Sequence, residues 1–366
     1  MKNILCSHIE LPSKSIGSWN IMFTRLLQEK NNLFDIVISP QSENKLDTIK
    51  QISVIDNLFY KKILSKYNYY YSYYNFWKKI KKIINNEDKV VVNIIDNINL
   101  LLALDFFAKR KKVRSKLFII FHLHSYNFDV DVNKRNKIYN AINKLILLTE
   151  TSYYFQLQHN HTIPCEVEVL RNGIDTNIFY PLTFEEKLKL RIKLKLKENK
   201  IYFLWISQDR PKKGLFIILK AWEKIVENNK NVELLILGTY NEIKGKQITW
   251  LGRKPNSELA PYYQATDYYL FSTLCHEGHP LSLTEALKCG AKCLASNIDP
   301  VSEILHDGNL GMLVDLPNFV SSWVNTIEFA LKNDIDFNEE KLDLLKLYDF
   351  SQWSKEIKKI FDDYNS

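Results

Sequence analysis

Several features are missing from this sequence, and each absence removes a class of protein. The 366 residues contain no run of about 18 or more uncharged apolar residues, the length that a membrane-spanning helix requires. Glycine and proline number only 10 each, and no low-complexity tract indicates a disordered arm or a fibrous protein. The N-terminus alternates like a strand over Lys2–Cys6, unlike the apolar core of a signal peptide. We therefore expect a globular protein that stays in the cytoplasm.

Cysteine is scarce and scattered. The five cysteines are Cys6, Cys165, Cys275, Cys289 and Cys293. An odd and uneven set does not form a disulfide framework, and it agrees with a reducing compartment. Three of them lie near His276 and His279, but the sequence has no Cys-x-x-Cys pair and no His-Glu-x-x-His spacing. We therefore predict no metal site.

The positive charge is concentrated in the first half. Residues 1–175 carry 25 Lys and Arg against 16 Asp and Glu, whereas residues 176–366 carry 25 against 26. The net charge of +8 is therefore divided into +9 and −1. A basic half suggests an anionic partner, either a nucleic acid or an anionic membrane surface.

Short apolar runs alternate with helix-length segments along the whole chain. The predicted strands are Lys2–Cys6, Asp35–Ser39, Val90–Ile95, Leu117–His122 and Leu145–Leu148, then Tyr202–Ile206, Glu233–Leu237, Tyr268–Phe271, Lys292–Ala295 and Met312–Val314. This alternation is typical of α/β proteins, and its repetition after a Lys-rich interval at 185–200 predicts two doubly wound sheets. We place the domain boundary at the Asn172-Gly173 turn signal, which follows the strand-like segment Val167–Leu170 and gives domains at 1–172 and 173–348.

The last segment has the pattern of an amphipathic helix. Residues 349–366 form a third part, in which Trp353, Ile357, Ile360, Phe361 and Tyr364 lie on one apolar face. We expect this helix to cross back and pack against the N-terminal domain, because its apolar face must be covered.

The strongest functional signal is the segment 276–287, which changes abruptly from loop to helix. Pro280 suits the first helical position, where its missing N–H costs nothing. The free N–H groups of Leu281 and Ser282, with the helix dipole behind them, then form a site for a diphosphate.

Two glutamates, eight residues apart, bracket this predicted phosphate site. Glu285 would accept hydrogen bonds from ribose hydroxyls, and Glu277 from the hydroxyls of a sugar. Gly278 allows close approach of the backbone, and we include His279 among the binding residues. The alternative is a helix with a polar start and no ligand site, in which Glu277 caps the N-terminus of the helix and Glu285 is a solvated side chain.

A basic turn follows the strand Tyr202–Ile206. It contains Arg210, Lys212 and Lys213 and leads into a helix. Cationic side chains at the C-terminal edge of a parallel sheet can neutralise a departing diphosphate. The alternative is a solvated lysine cluster in a lysine-rich chain.

At these residues the sequence resembles glycosyltransferase family 4, a family of retaining GT-B enzymes. The matching stretches are Asn172-Gly173-Ile174-Asp175 with Phe179 and Pro181, Lys213-Gly214, Leu235–Gly238, Leu251-Gly252, Glu277 with Glu285-Ala286-Leu287, Gly290, and Glu303-Ile304. The likeness covers residues 165–315 well and residues 1–165 loosely. It implies two Rossmann-like domains facing each other across a cleft.

The resemblance also implies roles for single residues. Lys213 would contact the donor diphosphate, while the family's second cation, an arginine, is replaced by Gln208, so Arg210 or else Lys212 would serve instead. The family's Gly-Gly before Glu303 is replaced by Ile298-Asp299-Pro300.

In the first half, the family has a histidine near the donor sugar at the end of the strand Leu117–His122. We assign this role to His124 before His122; either could instead be satisfied by a backbone carbonyl at the strand end. In the family the loop after the first strand flanks the donor phosphates, which makes Gly17 a further binding residue.

The resemblance implies transfer of a sugar from a nucleoside diphosphate sugar to an acceptor hydroxyl with retention of configuration, without cofactor or divalent ion. The acceptor would be a glycan or a lipid-linked glycan in cell-surface polysaccharide synthesis. Catalysis would then be positioning and electrostatics. Two alternatives are another GT-B sugar-nucleotide enzyme, such as an epimerase, and a basic non-catalytic protein that binds nucleic acid or membrane.

Residues 60–82 interleave aromatic rings and lysines. They include Tyr67, Tyr69, Tyr70, Tyr71, Tyr73, Tyr74, Phe76 and Trp77 with Lys61, Lys62, Lys78, Lys79, Lys81 and Lys82. Such a segment suits peripheral contact with an anionic membrane, and the run Lys109–Lys112 adds a second basic patch. The rings could instead belong to the core, and single-stranded nucleic acid is the poorer explanation.

Overall fold

The computed structural model of the chain describes residues 1–13, 18–29, 33–46, 49–55, 57–160, 162–333 and 349–362. Two compact units result: the first comprises Met1–Arg171 with Gln352–Ser366, and the second comprises Asn172–Ser351. Each unit contains one fully parallel β-sheet flanked by helices.

The sheet of the first unit has seven strands. They are β1 (Lys2–Cys6), β2 (Ile36–Ser39), β3 (Lys50–Ser53), β4 (Val90–Ile95), β5 (Leu117–His122), β6 (Lys144–Leu147) and β7 (Glu166–Val169). Their spatial order is β3-β2-β1-β4-β5-β6-β7. The strand order therefore reverses between β1 and β4, and ligands of open α/β sheets bind at the carboxyl ends of strands at such a switch point.

Helices and short helical turns cover this sheet. The helices are α1 (Ser18–Gln28), α2 (Tyr74–Ile84), α3 (Ile98–Arg110), α4 (Val132–Ala141) and α5 (Glu150–His159), and the turns before α2 are Phe59–Ile63, Leu64–Lys66 and Tyr69–Tyr73. Helix α3 begins at a side-chain cap, since Asn97 Oδ1 accepts the N–H of Leu100 at 2.8 Å.

Part of the aromatic segment belongs to the core of the first unit. The ring centroids of Tyr71, Tyr74 and Trp77 lie 5.3, 5.2 and 6.1 Å from that of Phe107 on α3. Trp77 is only 1% exposed. For these rings the core interpretation is correct, because they pack against the aromatic surface of α3, with Trp77 buried and Tyr71 and Tyr74 partly buried.

The sheet of the second unit has six strands. They are β8 (Ile201–Ile206), β9 (Val232–Leu237), β10 (Ile248–Trp250), β11 (Tyr268–Phe271), β12 (Lys292–Ser296) and β13 (Met312–Val314), in the order β10-β9-β8-β11-β12-β13. Its helices are α6 (Phe184–Lys193), α7 (Leu215–Asn228), α8 (Ala260–Ala265), α9 (Leu281–Lys288), α10 (Val301–Ile304) and α11 (Val320–Lys332). The switch point lies between β8 and β11.

Both faces of this second sheet are buried. Along β8, Tyr202 and Leu204 join one apolar cluster, whereas Phe203 and Trp205 join the cluster on the opposite face. Alternate residues of a strand point to opposite faces, so a strand that is apolar throughout must be covered on both sides.

The C-terminal helix α12 (Phe350–Asp362) packs on the first unit, as predicted. The ring of Trp353 contacts Phe23 of α1 at a centroid distance of 6.0 Å, and that of Phe361 contacts Phe34 at 5.4 Å. Ser354 also donates a hydrogen bond to Glu29 at 2.9 Å. Tyr364, which the sequence places on the same face, lies outside the described residues.

The fold class is therefore the predicted one, with two doubly wound parallel sheets. No helix of the described residues is both long and apolar enough to cross a membrane.

Candidate functional site

The basic turn after β8 is fixed against the residues that follow β11. Gly214 has a φ of +71°, and a Cβ at this position would lie 2.1 Å from the carbonyl oxygen of Ser272. The N–H of Leu274 donates to the carbonyl of Lys212 at 2.7 Å, and the hydroxyl of Ser272 donates to the carbonyl of Lys213 at 2.9 Å. Glycine is thus required by both the backbone conformation and the close contact. The loops after β8 and β11 are therefore held together at the carboxyl edge of the sheet.

Lys213 and Glu277 meet at this edge. The ammonium nitrogen of Lys213 lies 2.5 Å from Oε1 of Glu277, and the hydroxyl of Thr273 donates to the same oxygen at 2.8 Å. Both partners are partly buried, which strengthens a charge-assisted hydrogen bond relative to one in open water. No partner of Glu277 Oε2 is found among the described residues. The ammonium group and Oε2 can therefore still bind a ligand.

Helix α9 begins one residue later than the sequence predicts. Pro280 is the N-cap rather than the first helical residue, with φ −71° and ψ 100°, and its carbonyl accepts the N–H of Leu283 at 3.1 Å. Leu281 and Ser282 are partly exposed and hold the first two helical N–H groups, which precede the first internal hydrogen bond. The shift of one residue leaves both N–H groups at the start of the helix, and a diphosphate site at these two residues stays a prediction.

Gly278 and His279 join the loop to this helix. Gly278 is partly exposed, whereas His279 is 3% exposed. The carbonyl of His279 accepts a hydrogen bond from the side chain of Asn172 at 3.3 Å. The Asn-Gly turn after β7 is thus tied to the loop that carries Glu277.

Glu285 lies inside the second unit. It is 5% exposed, and the hydroxyl of Tyr263 on α8 donates to its Oε2 at 3.3 Å. Burial raises the pKa of Glu285 to about 7, although hydrogen bonds from Tyr263 and Asn256 act in the opposite direction. Near neutral pH this carboxyl group is therefore only partly ionised.

Arg210 lies on the outside of the basic turn. Its side chain is exposed, and its carbonyl accepts the N–H of Lys213 at 2.8 Å. Gln208 and Lys212 are exposed as well. Arg210 can therefore reach a ligand bound at this edge only through its long and mobile side chain.

In the first unit, His122 is the last residue of β5 and His124 lies two residues beyond it. Nε2 of His122 lies 3.1 Å from Oδ1 of Asn93, whose amide in turn donates to Asn3 at 2.7 Å. Nδ1 of His124 has no hydrogen-bond partner within the described part of the chain. Burial lowers the pKa of each histidine to about 3, so both rings are neutral at pH 7. His122 serves an internal network, whereas Nδ1 of His124 is a buried nitrogen outside that network.

Asp96 is a residue of this region that the sequence reasoning missed. It follows β4 at the switch point of the first sheet, with a φ of +48°, and its Oδ1 accepts the N–H of His124 at 3.2 Å. Burial raises the pKa of Asp96 to about 6. A left-handed conformation in a non-glycine residue costs free energy, so Asp96 is held in place by its surroundings. An isolated aspartate after an apolar run gives no sequence signal of this role.

The structure places the predicted site residues in two groups. Lys213, Arg210, Glu277, Gly278, His279, Leu281, Ser282 and Glu285 belong to the second unit, and His124 belongs to the first. Gly17 lies outside the described residues. Within the described ranges, no group of three or more His, Cys, Asp or Glu side chains could hold a metal ion.

Comparison with known families agrees with this geometry. Residues 186–343 match the family model described as glycosyl transferases group 1. This range contains every site residue of the second unit.

Among curated proteins, the chain is similar to the UDP-Gal:α-D-GlcNAc-diphosphoundecaprenol α-1,3-galactosyltransferase of Escherichia coli, with 26% identity over 50% of this chain and 50% of that protein. It is also similar to the phosphatidyl-myo-inositol mannosyltransferase of Mycobacterium tuberculosis, with 28% identity over 35% of this chain and 36% of that protein. The chain thus spans half, or less, of the length of these relatives.

Among solved structures, a sucrose-phosphate synthase of Thermosynechococcus elongatus superposes with a TM-score of 0.76 at 13% identity, covering 100% of this chain and 99% of that one. HepE of Anabaena in complex with UDP has a TM-score of 0.75 at 14% identity, covering 99% and 100%. These likenesses identify the fold as GT-B.

Proposed function

We propose that this chain is a glycosyltransferase that moves a sugar from a nucleoside diphosphate sugar to an acceptor hydroxyl. The observation that carries the proposal is the Lys213–Glu277 pair at the switch point of the second sheet, next to the free N–H groups of α9. A nucleoside diphosphate sugar needs a cation and amide donors for its phosphates and a carboxylate for its sugar hydroxyls. This edge of the sheet offers all three.

The pair is prepared for this ligand because each partner keeps an unused group. Lys213 gives one N–H to Glu277 and has two more for phosphate oxygens. Glu277 is held by Lys213 and Thr273 through Oε1, which leaves Oε2 for the hydroxyls of the donor sugar. Little reorganisation is then needed on binding, and such preorganised charges are the main source of electrostatic catalysis.

The reaction proceeds with retention of configuration. The bond between the anomeric carbon and the diphosphate oxygen breaks while the acceptor oxygen attacks from the same face. The acceptor proton passes to the leaving phosphate, and Lys213 and Arg210 stabilise the charge that develops there. Glu277 orients the sugar, and Glu285 binds the ribose. No side chain has to act as a nucleophile, which is consistent with positioning as the main catalytic effect.

The transferred group is a hexose, and the acceptor is a lipid-linked glycan in cell-surface polysaccharide synthesis. The relatives support this proposal, since one is named for a diphosphoundecaprenol-linked sugar and another for phosphatidyl-myo-inositol. The enzyme works without a divalent ion or other cofactor, in the cytoplasm at the inner face of the membrane.

A panel of nucleotide sugars tests the proposal. The purified chain is incubated with UDP-, GDP-, ADP- and dTDP-sugars, and the release of free nucleoside diphosphate is measured with and without lipid-linked acceptors. We expect release from at least one donor, accelerated by an acceptor. If no donor releases nucleoside diphosphate, the chain is a non-catalytic protein and the proposal is wrong. If the sugar is interconverted without release of the diphosphate, the proposal is wrong in favour of an epimerase.

A further inference from the structure

The outer side of Ile55 and of residues 57–82 is a surface that the proposed transfer site does not use. While Tyr71, Tyr74 and Trp77 point into the core, six other large apolar side chains of this segment lie in solvent. They are Ile55 (74% exposed), Leu58 (65%), Phe59 (52%), Ile63 (49%), Tyr67 (85%) and Tyr69 (53%). The three short turns that carry most of them contact one another, so these side chains form one patch rather than isolated exposures.

Lysines surround this patch. Lys61, Lys62 and Lys66 are exposed on the same turns, and Lys78 and Lys82 are exposed one helical turn apart on α2. A cationic rim around an apolar centre is the composition that proteins use to attach to anionic bilayers.

A groove lies beside the patch and has a volume of about 580 Å³. Its lining, as far as the described residues show it, consists of three lysines and five uncharged residues: Ser53, Ile55, Asn57, Leu58, Asn75, Lys78, Lys79 and Lys82. The amide of Asn75 donates to the carbonyl of Ile55 at 2.7 Å, which ties α2 to the segment after β3. The two walls of the groove are therefore held together, and its lysines converge on one space.

We propose that this face, consisting of the groove and the six exposed apolar side chains, docks the chain on an anionic phospholipid bilayer. A headgroup phosphate occupies the groove between Lys78, Lys79 and Lys82. Leu58 and Phe59 enter the interfacial layer beside it, and Tyr67 lies at the level of the headgroups, where tyrosine is favoured.

Charge and side-chain type together select a membrane over a nucleic acid. Single-stranded nucleic acid binds lysines and aromatic rings, on which its bases stack. Half of the exposed apolar side chains here, Ile55, Leu58 and Ile63, are aliphatic. They offer no ring to a base but gain free energy on entering a lipid layer.

The inference deepens the proposed function, since a docked enzyme meets a lipid-linked acceptor in the plane of the membrane. Docking itself can be measured without turnover. A failure of docking can thus be distinguished from a failure of the transfer reaction.

Sedimentation with vesicles tests the docking face. Wild type is mixed with vesicles of phosphatidylcholine alone or with equal parts of phosphatidylglycerol. The charge variant is Lys78→Gln with Lys82→Gln, and its matched control is Lys220→Gln with Lys224→Gln, two exposed lysines at the same spacing on α7. An apolar variant carries Leu58→Gln with Phe59→Gln. Thermal unfolding confirms that all variants are folded.

We expect wild type and the control to bind only the anionic vesicles, more weakly as salt rises. The charge variant should bind about tenfold more weakly or worse, and the apolar variant should also lose affinity. Donor hydrolysis without vesicles should be equal in all four proteins. The proposal is overturned if wild type ignores anionic vesicles at low salt, if the α7 control loses as much affinity as the charge variant, or if a single-stranded oligonucleotide displaces the vesicles from the groove.

Discussion

Lys213 and Glu277 lie 64 positions apart in the sequence, yet Nζ of the first and Oε1 of the second are 2.5 Å apart. They come from the loops after β8 and β11, which are neighbouring strands at the switch point of the second sheet. The close packing of Gly214 on Ser272 brings these loops together. The cation and the carboxylate that we propose for phosphate and for sugar are thereby placed side by side.

Loss of the cation should affect turnover more than stability. Lys213→Ala removes the group that neutralises the departing diphosphate, and we expect kcat to fall by about 10²-fold or more. Arg210→Ala should lower it less, because its exposed side chain has more freedom. The control is Lys220→Ala on α7, which should leave the steady-state kinetics unchanged. Equal kinetics for Lys213→Ala and the control would contradict the assignment.

Substitution of the two glutamates, Glu277 and Glu285, should change different kinetic constants. Glu277→Ala should mainly lower kcat, because its contact is to the reacting sugar, whereas Glu285→Ala should mainly raise KM for the donor by weakening nucleotide binding. Steady-state kinetics with the preferred donor, together with calorimetry of nucleoside diphosphate binding, measure the two effects. If both variants change only KM, and by the same factor, the separate roles are wrong.

Turnover should persist in EDTA. The phosphate site consists of Lys213, Arg210 and the N-terminus of α9, so charge neutralisation needs no divalent ion. The measurement is the release of nucleoside diphosphate before and after chelation. Activity that disappears in EDTA and returns with Mg²⁺ or Mn²⁺ would show that a metal takes part.

The buried carboxyl group of Glu285 should make stability depend on pH. Burial raises its pKa from 4.5 to about 7, so between these values the folded state binds more protons than the unfolded state. The free energy of unfolding should therefore fall as pH rises from about 4.5 to about 7 and then level off.

The variant Glu285→Gln should lack this contribution, since it keeps an acceptor for Tyr263 but cannot ionise. We expect urea unfolding to show that its free energy of unfolding, relative to that of wild type, rises by up to about 3 kcal/mol as the pH increases from about 4.5 to about 7. Glu223→Gln, at an exposed position on α7, is the control. A difference between Glu285→Gln and wild type that does not change with pH would contradict the raised pKa.

The sequence predicts the interior strands of both sheets because they are continuous apolar runs. It misses the edge strands β3 and β10. In β3 the segment Lys50–Ser53 has no buried side chain, and β10 has only the three residues Ile248–Trp250. Their pairing is set by neighbouring strands, β2 for β3 and β9 for β10, and not by a pattern of their own.

Short motifs carry the sequence prediction of the candidate site, as at Lys213-Gly214 and Glu277. The roles of Thr273 and Asp96 could not be predicted, because each depends on which strand end lies beside it in space. The rings of residues 69–77 pose the same problem. Tyr71 is partly buried because it packs against Phe107, 36 positions further along the chain, whereas Tyr69 is exposed.

The most direct test of the central claim is the product of the reaction itself. Wild type and Lys213→Ala are each incubated with the α-linked donor selected by the nucleotide-sugar panel and with acceptor, and the anomeric proton of the product is recorded by NMR. Wild type should release nucleoside diphosphate and form an α-linked product at equal rates, and the variant should form almost none. A β-linked product, or equal product formation by both proteins, would contradict retaining transfer at Lys213 and Glu277.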